Sequence, residues 1–337
     1  MSNLWSDNSN LSNEFKASLL CILYIVGVSI ISKKEQLLYI TLSATLICVA
    51  LFSLLFIVQN YLINNQELNH RLSNTGFDGW NSLNHPQVFA IYLGTFFTLG
   101  LMLLRKKASP IIKTMLFIAS MLILIAAFFT YSRTMWVALF FTLLCYLYIN
   151  KHNTILRYGI LLLVSSSAII LFIFPEIFDQ FIYRDGLSFR PQNWLLTLSY
   201  IVDKPLLGYG SNATFHYTVT QLVNGIELSC IIPHPHNLYL SILYFSGLIG
   251  LTLYLAMLTK LLVSIKKYLH DDFVWLALGI LLFSLSVQLF EIAEIVTKPN
   301  KYYIVMWLPI GIFIGRKVHL TTSPKELKTV YSGSVNK

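Results

Sequence analysis

Long apolar stretches, nearly free of charged residues, constrain this chain more than any other feature. Nine stretches reach or approach the roughly 20 residues that an α-helix needs to cross a bilayer. Only 12% of the residues are charged, about half the share typical of soluble globular domains. The sequence therefore predicts an all-α fold, a polytopic membrane bundle of about nine transmembrane helices. The predicted spans cover residues 17–32, 37–63, 87–104, 111–130, 135–149, 156–174, 238–264, 273–290 and 302–315.

The net charge of +9 has a topological explanation. When consecutive loops are assigned to alternate sides of the membrane, 16 of the 24 basic residues fall on one side, and the other side holds 8 basic and 11 acidic residues. The positive-inside rule makes the basic side cytoplasmic, with the N-terminus outside and the C-terminus inside. Membrane lipids are the expected surroundings, and no nucleic-acid partner is expected. The polar first ten residues lack the pattern of a cleavable signal peptide.

The predicted spans divide the chain into four segments. Residues 1–174 hold about six spans, residues 175–236 form one large loop on the outer side, residues 237–318 hold about three more spans, and residues 319–337 form a polar cytoplasmic tail. A loop of this length without spans is usually functional. The sequence therefore directs the search for a site to the outer side.

The outer loop is expected to contain short amphipathic helices. Residues 191–202 predict one of them, because a proline suits the first helical turn and apolar side chains follow at helical spacing. Such a helix is expected to lie at the membrane interface. The residues that carry this pattern are Pro191, Trp194, Leu195, Leu198 and Ile201.

Three arginines on the outer side are candidates for binding an anion. Arg133 lies at the membrane boundary, where a charge is costly unless it snorkels or finds a partner. Arg184 and Arg190 precede the predicted amphipathic helix, and Asp185 is available for an ordinary surface ion pair. The forked guanidinium group nevertheless suits bidentate phosphate binding. We predict that these three arginines bind substrate.

A His-Pro-His-Asn sequence at the outer mouth of the seventh predicted span is a candidate for acid-base chemistry. His234 and His236 offer imidazoles that can exchange protons near neutral pH. The alternative is a solvated loop in which Asn237 caps the next helix. No third metal ligand lies nearby in the sequence, so no metal is expected. Together with the arginines, this segment predicts one pocket for a lipid-linked diphosphate. Glycine-rich nucleotide loops are missing from the sequence, and no cofactor is expected.

Four motifs stand out along the chain: SRTMW at 132–136, FRPQNW at 189–194, DKPLLGYGSN at 203–212 and HPHNLYLSILYFSGLIG at 234–250. In this order they resemble the O-antigen ligase and O-antigen polymerase superfamily of bacterial membrane glycosyltransferases. The resemblance extends over roughly residues 110–315 around the large loop. Its most specific parts are the His-Asn-x-Tyr-Leu stretch with two later glycines and the Pro-Leu-Leu-Gly-x-Gly turn.

The resemblance implies a GT-C-like fold and a metal-independent, inverting glycosyltransferase of the inner membrane whose site faces the periplasm. The implied donor is an undecaprenyl-pyrophosphate-linked glycan, and the implied acceptor for a ligase is the lipid A-core. By this analogy Arg133 and Arg190 hold the donor pyrophosphate. His236 is the catalytic residue, which deprotonates the acceptor hydroxyl or orients it. Arg184, His234 and Asn237 complete the expected substrate-binding set.

Three functions are compatible with the sequence. An O-antigen ligase is the first. A polymerase of O-antigen or related polysaccharide repeat units is the second, since both enzymes consume a polyprenyl diphosphate donor. A polysaccharide or lipid transporter is the third, although transporters often place ionisable residues near mid-membrane. Here the predicted spans are almost free of charge inside, and the titratable groups gather at one face.

Overall fold

The computed structural model describes residues 11–68, 70–72, 85–149, 190–211, 213, 215, 217–223, 226–232, 234–292, 296 and 302–322. The chain divides into two compact units. One unit comprises Met1–Lys16, Thr130–Lys260 and Leu282–Thr297, and we call it the loop unit. The other comprises Ala17–Phe129, Leu261–Leu281 and Lys298–Lys337, and we call it the bundle unit.

Helices make up almost all of the regular structure in the described ranges. They are α1 (Leu11–Ser32), α2 (Glu35–Ile57, continued by a π-helical turn at Val58–Ile63), α3 (Pro86–Leu103), α4 (Pro110–Phe129), α5 (Arg133–Ile149), α6 (Arg190–Asp203), α7 (Leu238–Lys266), α8 (Asp272–Gln288) and α9 (Leu308–Thr322, preceded by a π-helical turn at Tyr303–Trp307). Two strands, β1 (Tyr217–Val223) and β2 (Ile226–Ile232), lie between α6 and α7 in the chain.

The predicted helical membrane architecture is confirmed in outline. By length and composition, six helical segments of the described chain can cross a membrane: Ser12–Ser32, Glu35–Ile63, Pro86–Leu103, Pro110–Phe129, Leu238–Lys266 and Tyr303–Thr322. Two shorter apolar helices, Arg133–Ile149 and Asp272–Gln288, coincide with two more predicted spans. The predicted span 156–174 lies outside the described residues. A total of nine spans therefore stays a prediction.

In the bundle unit, α2, α3 and α4 pack against one another. Apolar side chains make up most of the contact, and among them Leu46, Leu99 and Ile123 are fully buried. Large apolar side chains of α2 and α4 are exposed, including Leu51 and Phe117, whereas α3 is mostly buried. An apolar surface of this kind is unfavourable in water and suits contact with lipid.

The last helix extends beyond the predicted span of residues 302–315. It runs to Thr322, and Arg316, the first residue after that span, is buried. Its guanidinium contacts both carboxylate oxygens of Asp271 and lies 3.4 Å from Glu35 Oε2. A paired arginine does not oblige the helix to leave its apolar surroundings.

In the loop unit, α6 confirms the amphipathic helix predicted at residues 191–202. Its polar side chains Asn193 and Thr197 are buried, whereas Leu195, Leu198 and Val202 are exposed. Leu196, Tyr200 and Ile201 pack against the buried Phe215 and Tyr244, so apolar side chains lie on both faces of the helix. An exposed apolar face of this kind is unfavourable in water. It agrees with the prediction that this helix lies against the membrane surface.

The two strands were not predicted from the sequence. They form an antiparallel hairpin whose register pairs Tyr217 with Ile232 and Val223 with Ile226. The sequence did contain the signal, since an Asn-Gly pair separates two runs rich in β-branched residues. Expecting only helices in this loop was therefore incomplete.

Helix α7 is interrupted at Gly247, where the backbone is not helical. The loop after α6 forms hydrogen bonds with α7 on both sides of this break. Tyr209 N donates to the carbonyl of Tyr244 at 2.8 Å, on one side of the break. On the other side, Leu248 N donates to the carbonyl of Pro205 at 2.8 Å. The loop thus satisfies backbone groups that a broken helix would leave without partners.

Two glycines allow this contact between the loop after α6 and the break in α7, which we call the joint. Gly247 has φ 63°, and a Cβ there would lie 2.1 Å from the carbonyl oxygen of Leu206. Gly208 has φ 69°, and its Cβ would lie 2.6 Å from the carbonyl oxygen of Tyr244. Only glycine combines these dihedral angles with so close an approach of two backbones. The joint fastens the segment after α6 to α7, so that Arg190 and His236 belong to two connected elements.

Candidate functional site

The first turn of α6 contacts the segment that carries the two histidines. Arg190 is the first residue of this helix. One turn later, the buried Asn193 donates from Nδ2 to the backbone carbonyl of His234 at 3.1 Å. This hydrogen bond ties the arginine-bearing turn to the His-Pro-His segment, because a buried amide such as that of Asn193 is costly to leave without a partner.

The His-Pro-His segment is itself tightly constrained. His236 has φ 53°, a value that few residues other than glycine adopt. Its backbone N donates to Nδ1 of His234 at 3.3 Å, and the centroids of the two imidazole rings are 3.9 Å apart. Burial lowers the pKa of His234 below its ordinary value. His234 is therefore suited to act as a neutral acceptor that orients its neighbour.

Asn237 connects the start of α7 to the residues after α8. Its Oδ1 accepts a hydrogen bond from Leu240 N at 3.1 Å, which is the contact of a helix-capping side chain. Its Nδ2 donates to the carbonyl of Leu289 at 3.1 Å. The capping alternative considered for the sequence is thus present, and substrate binding by Asn237 stays a prediction.

A carboxylate that sequence reasoning did not select joins the arginine and the histidine. Glu291 follows α8 and is only 5% exposed. Its Oε2 accepts a hydrogen bond from Arg190 Nη2 at 2.5 Å, and its Oε1 lies 3.8 Å from Nδ1 of His236. The structure therefore brings Arg190 and His236 to opposite oxygens of one buried carboxyl group.

The position of Glu291 is held by contacts of its neighbours. Its backbone N donates to the carbonyl of Val287 at 3.1 Å, which continues the last turn of α8. The ring of Phe290 packs against Trp194 of α6, with centroids 6.3 Å apart. These contacts fix the carboxylate between the two elements that carry Arg190 and His236.

This arrangement combines a cation, a carboxylate and an imidazole in one buried place. Arg190 and His236 are 16% and 28% exposed at their side chains, so both keep some access for a ligand. A guanidinium group can stabilise a phosphate, and an imidazole oriented through Nδ1 can accept a proton at Nε2. Within the described ranges, no three His, Cys, Asp or Glu side chains group as a metal site would require.

The motifs that carry these residues also match known proteins. Residues 118–255 agree with one protein-family model. That family is described as O-antigen ligase. An O-antigen ligase of Pseudomonas aeruginosa strain PAO1 is 27% identical over 234 residues, which cover 69% of this chain and 55% of the relative. The chain thus spans about half the length of that relative. These findings confirm the resemblance indicated by the four sequence motifs.

The O-antigen ligase match includes most of the candidate site. Arg133, Arg190 and His236 all lie within the matched residues 118–255, whereas Glu291 lies beyond their end. Together with the six long apolar helices, the match supports a membrane protein.

Two of the predicted arginines are less closely defined than Arg190. Arg133 is the first residue of α5 and belongs to the loop unit, just after Tyr131, which has φ 51°. Arg184 lies outside the described residues. Their expected contacts with a diphosphate stay predictions.

Glu291 was the residue that the sequence analysis missed, since it was counted only as one of the acids on the outer side. One signal could have identified it. It directly follows a long apolar segment, where an ionised carboxyl group is costly unless it is paired. A search for its partner would have turned to the arginines already selected.

Proposed function

We propose that this protein is an O-antigen ligase of the bacterial inner membrane, with its active site on the periplasmic face. It transfers a glycan from undecaprenyl pyrophosphate to the lipid A-core during lipopolysaccharide biosynthesis. The observation that carries the proposal is the meeting of Arg190 and His236 at one buried carboxylate, within a unit that contains most of the O-antigen ligase match. The similarity to a ligase favours this function over a polymerase or a transporter.

In the proposed reaction, no metal or cofactor takes part. His236 accepts the proton of the acceptor hydroxyl while the acceptor oxygen forms a bond to the anomeric carbon. The bond between that carbon and the phosphate oxygen breaks, and its electron pair leaves with the diphosphate. Attack from the side opposite the leaving group inverts the anomeric configuration. Arg190, with Arg133 and Arg184, stabilises the charge that develops on the diphosphate, and His234 and Asn237 support the His-Pro-His segment.

The test is a change of the proposed base in the full chain. His236→Ala should lower glycan transfer by about 100-fold to 10,000-fold, the range typical of a lost general base. The protein should still be produced and inserted normally. The assay is complementation of a null strain, read from its lipopolysaccharide profile and from the amount of protein in the membrane. His270→Ala, at an exposed histidine of the bundle unit, is the matched control and should restore transfer fully.

The null strain also separates the proposed enzyme from the alternatives. Loss of a ligase leaves bare lipid A-core while polymer accumulates on the lipid carrier. Loss of a polymerase instead leaves single repeat units attached to the core. A single-unit profile, or full transfer by the His236→Ala variant, would contradict the proposal.

A further inference from the structure

Glu291 is a buried carboxylate to which neither the sequence motifs nor the family match gives a role. It lies outside residues 118–255 and outside the four motifs. Burying an ionised carboxyl group is costly unless a cation or hydrogen bonds compensate its charge. Any event that draws Arg190 away from Glu291 must therefore provide this carboxylate with another partner.

The two oxygens of Glu291 have different partners at different distances. Oε2 receives a short, charge-assisted hydrogen bond from Arg190 Nη2 at 2.5 Å. Oε1 is 3.8 Å from Nδ1 of His236, which exceeds hydrogen-bond distance by less than 1 Å. In this state the carboxylate interacts strongly with the arginine and only weakly with the imidazole.

Substrate binding must change this balance if Arg190 holds the donor diphosphate, as we propose above. A diphosphate carries more negative charge than a carboxylate and offers several oxygens to the guanidinium fork. When these oxygens take up Arg190, Glu291 loses part of its compensation. His236 Nδ1 is the donor already within 4 Å of the opposite carboxylate oxygen.

We propose that Glu291 is a positioning residue that exchanges partners during the reaction, from Arg190 in the resting site to His236 once the donor diphosphate has engaged the guanidinium. This inference rests on the proposed function. It adds a residue that acts through its neighbours and does not touch the reacting atoms.

The exchange prepares His236 for proton transfer. A hydrogen bond from Nδ1–H to Glu291 leaves the lone pair of Nε2 available to accept the proton of the acceptor hydroxyl. The resulting imidazolium is then stabilised by the carboxylate beside it. Because the partner is released only when a diphosphate has bound, the base becomes fully active only when a donor is present.

The surroundings of Glu291 allow a short movement without unfolding the site. The backbone before Glu291 is held, through the contact of Asn237 with Leu289 and the packing of Phe290 on Trp194. The carboxyl group itself needs to approach His236 by about 1 Å to reach hydrogen-bond distance. Side-chain rotation is sufficient for a displacement of this size.

The decisive experiment measures kcat and KM separately in the purified full chain. Glu291→Gln has almost the same shape but no charge, so it competes less with the donor and stabilises an imidazolium poorly. We expect kcat to fall by about 100-fold, while KM for undecaprenyl-pyrophosphate-linked glycan falls severalfold. If Glu291 only maintained the fold, its replacement by glutamine would not lower the KM for the donor. A raised KM, or an unchanged kcat, would overturn the proposal.

The pH profile provides a second measurement. The negative charge of Glu291 favours the protonated form of His236, so its removal should lower the pKa of this imidazole. The acid limb of the activity profile should therefore move to lower pH in Glu291→Gln. Within the described residues, Glu291 and His234 face the His236 imidazole, and Arg190 lies at the opposite carboxylate oxygen. An acid limb at the wild-type position would contradict the exchange.

A double variant tests the coupling to Arg190. In Arg190→Gln the cation for which Glu291 and the diphosphate compete is absent, so adding Glu291→Gln should no longer lower the donor KM. An equal decrease of KM in both backgrounds would refute the exchange. Should Glu291→Gln not fold, Glu291→Asp keeps the charge and should retain a donor KM near the wild-type value, whereas a severalfold decrease would refute the exchange. If Glu291→Gln has wild-type kinetics while His236→Ala is inactive, the partner exchange is rejected and the proposed function still stands.

Discussion

Each of the two compact units pairs an arginine with a largely buried carboxylate, but the two pairs are built differently. In the bundle unit, Arg316 and Asp271 are 3% and 9% exposed, and Arg316 contacts both carboxylate oxygens. In the loop unit, Glu291 gives one oxygen to Arg190 and turns the other towards His236.

The partners of Asp271 explain the difference. Its Oδ1 also accepts hydrogen bonds from the backbone N of Phe273 and of Val274, at 2.9 and 3.0 Å, and so caps α8. Arg316 additionally lies over the ring of Phe273, with 5.5 Å between its Cζ and the ring centroid. A carboxylate with this many fixed partners serves the fold. A carboxylate shared between an arginine and an imidazole is suited to a change of partner.

The largest effect is expected from breaking the pair in the bundle unit. Asp271→Ala would leave the Arg316 charge buried without its main partner and would remove the cap of α8. We expect the free energy of unfolding to fall by about 3–5 kcal/mol, the usual effect of breaking a buried ion pair. Thermal unfolding in detergent and the amount of protein in the membrane measure this loss.

Asp272, the next residue in the chain, is a control because it has the same side chain as Asp271 but is more exposed. Its side chain is 37% exposed, and its Oδ2 lies 3.7 Å from Lys106 Nζ. Exposed ion pairs contribute about 0–1 kcal/mol, so Asp272→Ala should unfold near the wild-type temperature. Similar losses from both variants would contradict the distinction between the two pairs.

A smaller effect, on activity and not on stability, is expected from the arginine of the loop unit. Arg190→Lys keeps a positive charge beside Glu291 but loses the fork that suits a diphosphate. Glycan transfer should fall by roughly 100-fold, as for the loss of one donor that stabilises transition-state charge. The melting temperature should stay near that of the wild type.

The same substitution in the bundle unit should have the opposite result. Arg316→Lys cannot reproduce the contact with both oxygens of Asp271, so stability should fall while transfer per folded molecule is kept. Purified variants assayed for both melting temperature and transfer distinguish the two roles. If Arg190→Lys transfers glycan at the wild-type rate, the proposed role of Arg190 in activity is wrong. If Arg316→Lys is stable but inactive, the proposed role of Arg316 in stability is wrong.

Local patterns in the sequence were sufficient to predict most of the described helices and two of the residues that meet in the candidate site. A helix that crosses a membrane satisfies its own backbone, so its apolar length is visible without knowing its neighbours. Arg190 and His236 were found because each stands in a short motif at the edge of an apolar segment. These features depend on residues that are close together in the chain.

The features that were missed depend on distant residues. Glu291 becomes a candidate site residue only through its hydrogen bond with Arg190, which lies 101 positions earlier in the chain. The burial of Arg316 in α9, just beyond the predicted span 302–315, depends on Asp271, which lies 45 positions away. The interruption at Gly247 likewise requires the loop after α6. Pairings over such distances leave no periodic pattern in a single sequence.

The smallest effect concerns the pH dependence of stability in the loop unit. Burial holds the pKa of His234 below the 6.5 expected in the unfolded chain. The unfolded state therefore binds more protons around this pH, so stability is complete above pH 6.5 and declines as the pH falls below it. His234→Gln keeps an acceptor for His236 N but cannot be protonated. Its melting temperature should fall less than that of the wild type between pH 7.5 and 5.5, whereas the exposed control His270→Gln should follow the wild type. An equal fall in all three proteins would show that protonation of His234 does not contribute to the stability of this unit.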